Sequence, residues 1–162
     1  MAYRLSKYLS GILKAFQYNI SSNIKNAHDL KNKLMNMTIG ENEIMASYDV
    51  ISLFTSIPIC ECLDIVRTAI NNNQDIISEC PLSTGNIIKS LKHCLESTYF
   101  TFRDRMYRQS DGFAMGSPVS PIVATLYMKA LEERALRSVH CQPRIWYRFV
   151  DDTFVVVKKA NQ

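Results

Sequence analysis

The chain has 162 residues, 47% hydrophobic and 21% charged, with 8 Tyr, 7 Phe and one Trp. This suits a domain with its own core and excludes an intrinsically disordered chain. No apolar run approaches the ~18 residues of a membrane span, and the first residues lack the apolar stretch of a signal peptide. The five Cys, odd in number and irregularly spaced, argue for a reducing, intracellular setting, and the net charge of +4 permits a polyanionic partner without requiring one.

Leu5, Tyr8, Leu9, Ile12, Leu13 and Phe16 recur at three- and four-residue steps and predict an amphipathic helix. Ser21-Ser22-Asn23 reads as the cap of a second helix, with Ala27, Leu30 and Leu34 inward. The period then changes. Residues 43–54, EIMASYDVISLF, are nearly all apolar, β-branched or aromatic, the pattern of a strand buried on both faces. Pro58 stops it, and Ile59, Leu63, Val66 and Ile70 resume a helical period that Asn71-Asn72-Asn73 ends. Ile87, Ile88, Leu91, Cys94 and Leu95 mark a third helical face, followed by the strand-like TYFTFRDRMYRQ. After the turn signal Asp111-Gly112, a helix from about Pro121 carries Ile122, Leu126 and Ala130 on one side. Residues 145–157, IWYRFVDDTFVVV, read as a β-hairpin turning at Asp151-Asp152. The expected fold is one α+β domain without repeats or linkers.

Two carboxylate positions stand out. Asp49 is the lone charge between Glu43 and Ser56, and an unpaired carboxylate in a core costs several kcal/mol, so it asks for a cation, donors or a strand end. Asp151 and Asp152 are adjacent like charges between apolar runs, a conflict that a divalent cation removes. Taken singly, each has a plain structural reading: an Asp at a strand end facing solvent, and a good turn former. Between them, DGFAMGSPVSP (111–121) places Gly112 and Gly116 before Ser117-Pro118 and Ser120-Pro121, an ordinary loop-to-helix connection or a backbone able to lie flat against a base pair.

Their order is more telling than any one of them. A strand Asp, a Gly-Ser-Pro turn into a helix, and an aromatic-x-Asp-Asp hairpin follow the order of motifs A, B and C in the palm of reverse transcriptases. Motif A resembles Asp49–Phe54, motif B Gly112–Pro121 and motif C Phe149-Val150-Asp151-Asp152. The phrases YDVISLFTSIP, GFAMGSPVSPIVATLYM and WYRFVDDTF most resemble Penelope-like retroelement polymerases, relatives of telomerase reverse transcriptase. LSKYLSGIL and NIKNAHDLKNKL extend the resemblance over essentially the whole chain.

The resemblance implies a right-hand polymerase palm, a central antiparallel sheet with packed helices, plus part of the fingers. It makes residues 1–162 a partial reverse transcriptase domain, with a helical segment at about 1–40 preceding motif A and palm and fingers at about 43–162. Asp49, Asp151 and Asp152 are then the catalytic carboxylates, holding two Mg²⁺ (Mn²⁺ able to substitute) with the Val50 carbonyl as a further ligand. Phe54 is either a steric gate against a 2′-hydroxyl or merely core, and Gly116, Ser117 and Pro118 line the nascent base pair. The implied partners are an RNA template, a DNA primer and deoxynucleoside triphosphates, with no membrane, in the nucleus. Met115 departs from the Gln that many reverse transcriptases carry there, which removes one polar contact to the nucleotide. The triphosphate-clamping fingers motifs are expected upstream of residue 1, and the later palm motifs, primer grip and thumb beyond Gln162. A linked GIY-YIG endonuclease is not in this sequence. On that account the chain alone is expected not to polymerise. The alternatives are a catalytically dead remnant that at most binds nucleic acid and an RNA-dependent RNA polymerase. The latter class usually has Gly-Asp-Asp, and a second Asp where Phe54 stands.

Overall fold

The computed structural model describes residues 2–17 and 20–159. It is a mixed α/β structure with two antiparallel sheets, and it divides into two compact units. The first comprises the described residues of 1–19 and 52–131, the second those of 20–51 and 132–162.

The first unit is mainly helical. Helix α1 (Ala2–Lys14) and the 3₁₀ turn after it (Ala15–Gln17) bury Ser6, Leu9, Leu13 and Phe16, a stripe of alternating three- and four-residue steps. Tyr8 lies off that stripe and is exposed, and Leu5 and Ile12 are only half-buried, so three expected core positions move to its flank. Two further helices, α4 (Ile59–Asn71) and α5 (Thr84–Glu96), follow the sequence pattern closely. All five residues of the α5 face are buried, the four aliphatic ones each contributing about 1.5–3 kcal/mol of gross burial energy. Ser83 caps α5 by accepting from the Asn86 N–H, and α5 packs against both α1 and α4. TYFTFRDRMYRQ is not one strand but a hairpin, β2 (Tyr99–Phe102) and β3 (Arg105–Arg108). Its two-residue turn, Arg103-Asp104, has φ of 49° and 59°, the type I′ pattern without the usual Asn-Gly. The long helix α6 (Ser120–Ser138) buries Ile122, Val123, Ala124, Leu126 and Met128 in its first half.

The second unit is built on a three-stranded sheet of order β1-β5-β4, with β1 Glu43–Tyr48, β4 Ile145–Phe149 and β5 Asp152–Lys158. Val155 and Val156 on the central strand are the buried apolar residues of the sheet, and Ile20 and Ile24 are buried in the same unit. The reading of 43–54 as a strand buried on both faces is overturned. The strand ends at Tyr48 and occupies an edge, with Ile44, Met45 and Tyr48 exposed. A continuous apolar run fits a buried central strand and an exposed edge equally well, and only the pairing separates them. The second helix is also displaced. Its cap is Asn26, whose side chain accepts from the Asp29 N–H at 2.9 Å, and α2 spans Ala27–Leu34 with no buried residue. Residues 22–24 are engaged elsewhere: the Arg148 N–H donates to the Ser22 carbonyl and the Ile24 N–H to the Arg148 carbonyl, both at 2.8 Å. With their backbone laid along β4, they cannot open a helix.

Candidate metal and nucleotide-contacting residues

In the second unit, β1 and β5 run antiparallel with Tyr48 opposite Thr153. One further step of that register sets Asp49 across from Asp152, and the Val50 N–H donates to the Asp151 carbonyl at 3.3 Å. The segments carrying all three candidate carboxylates therefore lie side by side at one end of the strand pair. The hairpin turns one residue earlier than the aspartate pair suggests. Val150 and Asp151 form its two-residue turn, and Asp152 opens β5. Val150 sits at φ 57°, a left-handed conformation that costs a β-branched residue about 1–3 kcal/mol.

A buried network grips this turn. Arg148 is fully buried; its Nε donates to Glu132 Oε1 at 2.6 Å and its Nη1 to the Val150 carbonyl at 3.2 Å. Ser22 Oγ donates to the other Glu132 oxygen at 3.3 Å, while Arg148 Nη2 has no partner among the described residues. The guanidinium thus holds the carbonyl of the strained residue directly before Asp151. Sequence reasoning missed Arg148 and Glu132, because a Glu in the second half of a helix and an Arg in a strand each pass for solvated residues until the fold joins them.

Burial cost does not explain Asp49. It is exposed, as is Asp152, and Asp151 is half-buried, so the desolvation argument from sequence does not apply. Among the described residues these carboxylates make no side-chain hydrogen bond or ion pair, and no three His, Cys, Asp or Glu side chains are grouped to hold a metal ion. Their donor chemistry still fits Mg²⁺, which takes one or two carboxylates and completes its shell with water and substrate phosphate.

In the first unit, Phe54 is half-buried in the short helix α3 (Leu53–Ser56), not in a strand. Its carbonyl accepts from the Phe113 N–H at 2.6 Å. Gly112 makes this approach possible: at φ +68°, a Cβ there would lie 2.4 Å from that carbonyl oxygen. Gly116 differs, with no positive φ and no atom within 4 Å of an added Cβ, so it needs no glycine for its own backbone. Ser117 Oγ shares a 2.8 Å hydrogen bond with Ser6 Oγ, which also accepts from the Val119 N–H at 3.2 Å. Gly116, Ser117 and Pro118 border a cavity of about 200 Å³ together with Tyr3, Ser6 and Tyr99. Ser6 is a second residue the sequence did not announce. In the same unit, burial pushes the Cys62 thiol up to about 12, with Glu61 adding to the effect, so this cysteine is no nucleophile.

No protein-family model matches the sequence, and no curated protein does. Solved structures do. The chain is similar to telomerase from Candida albicans in complex with a TWJ fragment of telomeric RNA, with 14% identity and a TM-score of 0.66, over 94% of this chain and 30% of that one. It is also similar to telomerase from Candida tropicalis with the same kind of fragment (12% identity, TM-score 0.67, 96% and 28%) and in its apo form (11%, 0.66, 97% and 32%). At these identities the likeness is one of fold. The chain has a telomerase-like, reverse-transcriptase-like fold and spans roughly a third of the telomerase chains it matches.

Proposed function

We propose that the chain is the palm, with part of the fingers, of a Penelope-like retroelement reverse transcriptase. It would extend a DNA primer with deoxynucleoside triphosphates on an RNA template, in the nucleus. The observation that carries this reading is the backbone union of the Asp49 and Asp151 segments at one end of β1 and β5. The likeness of fold to telomerase, in two structures bound to telomeric RNA, supports it.

Asp49, Asp151 and Asp152, with the Val50 carbonyl, would hold Mg²⁺ or Mn²⁺. When bound, the metal supplies charge stabilisation for nucleotidyl transfer and a more acidic primer hydroxyl. The protein's part is positional. Arg148 fixes the carbonyl before Asp151, and the β1–β5 pairing fixes the backbone of Asp49 relative to it. In the first unit, the Phe54 ring would exclude a 2′-hydroxyl, and Gly116, Ser117 and Pro118 would offer a flat surface to the nascent base pair.

Mn²⁺ titration of the purified chain, read by electron paramagnetic resonance, tests the metal assignment. Weak binding is expected, reduced at least about tenfold by Asp151→Asn and by Asp49→Asn but not by Asp64→Asn on the exposed side of α4. Binding that ignores the first two substitutions would overturn the assignment and leave the reading of a remnant that only binds nucleic acid.

A further inference from the structure

The β2–β3 hairpin exposes every one of its eight strand residues, although half of them are aromatic. A two-stranded ribbon gains little stability of its own, and exposed apolar clusters mark interaction surfaces. Register sorts its side chains into two faces, because directly opposed residues point the same way. One face carries Tyr99, Thr101, Met106 and Arg108; Tyr99 borders the 200 Å³ cavity and Arg108 a second cavity of about 430 Å³. The other face carries Phe100, Phe102, Arg105 and Tyr107, with the three rings 52%, 56% and 41% exposed. Here Phe100 and Tyr107 stack with centroids 5.6 Å apart, and the Arg103 guanidinium lies 5.2 Å from the centre of the Phe102 ring. No acidic residue belongs to this face. Asp104 is in the turn.

We propose that this face binds single-stranded RNA, with bases stacked on Phe100, Phe102 and Tyr107 and phosphates neutralised by Arg103 and Arg105. Flat rings interleaved with guanidinium groups match a strand that alternates flat bases with phosphate charge. A protein partner would be served by the rings but not by two positive charges among them that have no carboxylate partner among the described residues. The choice of RNA over DNA rests on the template in the polymerase reading; the stacking and charge argument does not.

The test is fluorescence anisotropy of a labelled, unstructured 12-nucleotide RNA with the 162-residue chain in EDTA, so that failure of the metal assignment cannot affect it. Phe100→Leu with Phe102→Leu should weaken binding at least tenfold while leaving the salt dependence intact. Arg103→Gln with Arg105→Gln should weaken it and flatten the log–log salt slope by about 1.4, the value for two phosphates. Removing equal charge elsewhere, by Lys31→Gln with Arg67→Gln, should cost less than threefold. Single-stranded DNA of the same sequence should bind more weakly, and duplex RNA weakest. Hairpin variants that bind as the parent does would overturn the proposal. So would hairpin-dependent self-association with RNA binding unchanged. Binding of RNA no better than DNA would overturn its choice of RNA and with it the template reading. Should a variant misfold, photocrosslinking of 4-thiouridine RNA to the parent chain decides the matter. Adducts at Phe100, Phe102 or Tyr107 are expected, and adducts confined to other segments would refute it.

Discussion

An alanine at position 112 would put its Cβ 2.4 Å from the Phe54 carbonyl oxygen and 2.5 Å from Thr55 Cα, on a backbone at φ +68°. Neither neighbour is the movable end of a side chain, so α3 or the turn must shift. Gly112→Ala should cost on the order of 2–4 kcal/mol in urea unfolding. Gly116→Ala, with open space around it, should stay within about 0.5 kcal/mol of the parent. The contrast separates two glycines that look alike in the sequence. One is required by the fold, and the other is free to be kept for whatever approaches it from outside. Equal losses at both positions would contradict the geometry described here. The meeting of the Asp49 and Asp151 segments was legible because residue type, order and spacing lie along the chain. Ser6, Glu132 and Arg148 were not, since each acquires its partner only through contacts distant in sequence.

At the level of elements, the β4–β5 hairpin depends on a buried ion pair whose removal has two distinguishable outcomes. Arg148→Met leaves the Glu132 carboxylate buried without its cation and should destabilise the chain by about 3–5 kcal/mol. Arg148→Met combined with Glu132→Leu should recover most of that loss, because burying no charge is better than burying one unpaired. Recovery of stability without recovery of Mn²⁺ binding would locate the value of Arg148 in holding the Val150 carbonyl. The start of β1 has a different clasp, a two-pronged contact in which Arg144 Nε and Nη2 reach the two Glu43 oxygens at 2.7 and 2.8 Å. The Gly40 N–H, then Arg144, hold the Glu43 carboxyl below its ordinary value of 4.5. A lowered pKa stabilises the fold fully above the unfolded value and loses that contribution as pH falls through the folded one. The melting temperature of Glu43→Gln should therefore lie below the parent's at pH 7, with the gap closing as pH drops below about 4.5. A gap that stays constant throughout the acid range would assign the effect to packing. Helices were the most legible elements: α5 follows its periodicity residue for residue, whereas the Arg103-Asp104 turn carries no Gly or Asn to announce it.

For the molecule as a whole, pairing decided what pattern could not. The apolar run at 43–54 became a six-residue edge strand, a tight turn through Ser52 at φ 55° and the short helix α3. The two edges of the three-stranded sheet are treated differently. Residues 22–24 hydrogen-bond along β4, while no strand among the described residues pairs with the outer side of β1. Ile44, Met45 and Tyr48 stay exposed there. An unpaired edge bearing such side chains is a template for another copy of itself. Met45→Lys should accordingly raise the concentration at which light scattering still reports monomers, without lowering the melting temperature by more than a degree or two. The practical result is an ageing problem: concentrated stocks of the parent chain should slowly thicken into thioflavin-positive fibrils seeded at that border, and nucleation should lengthen when a single lysine interrupts it.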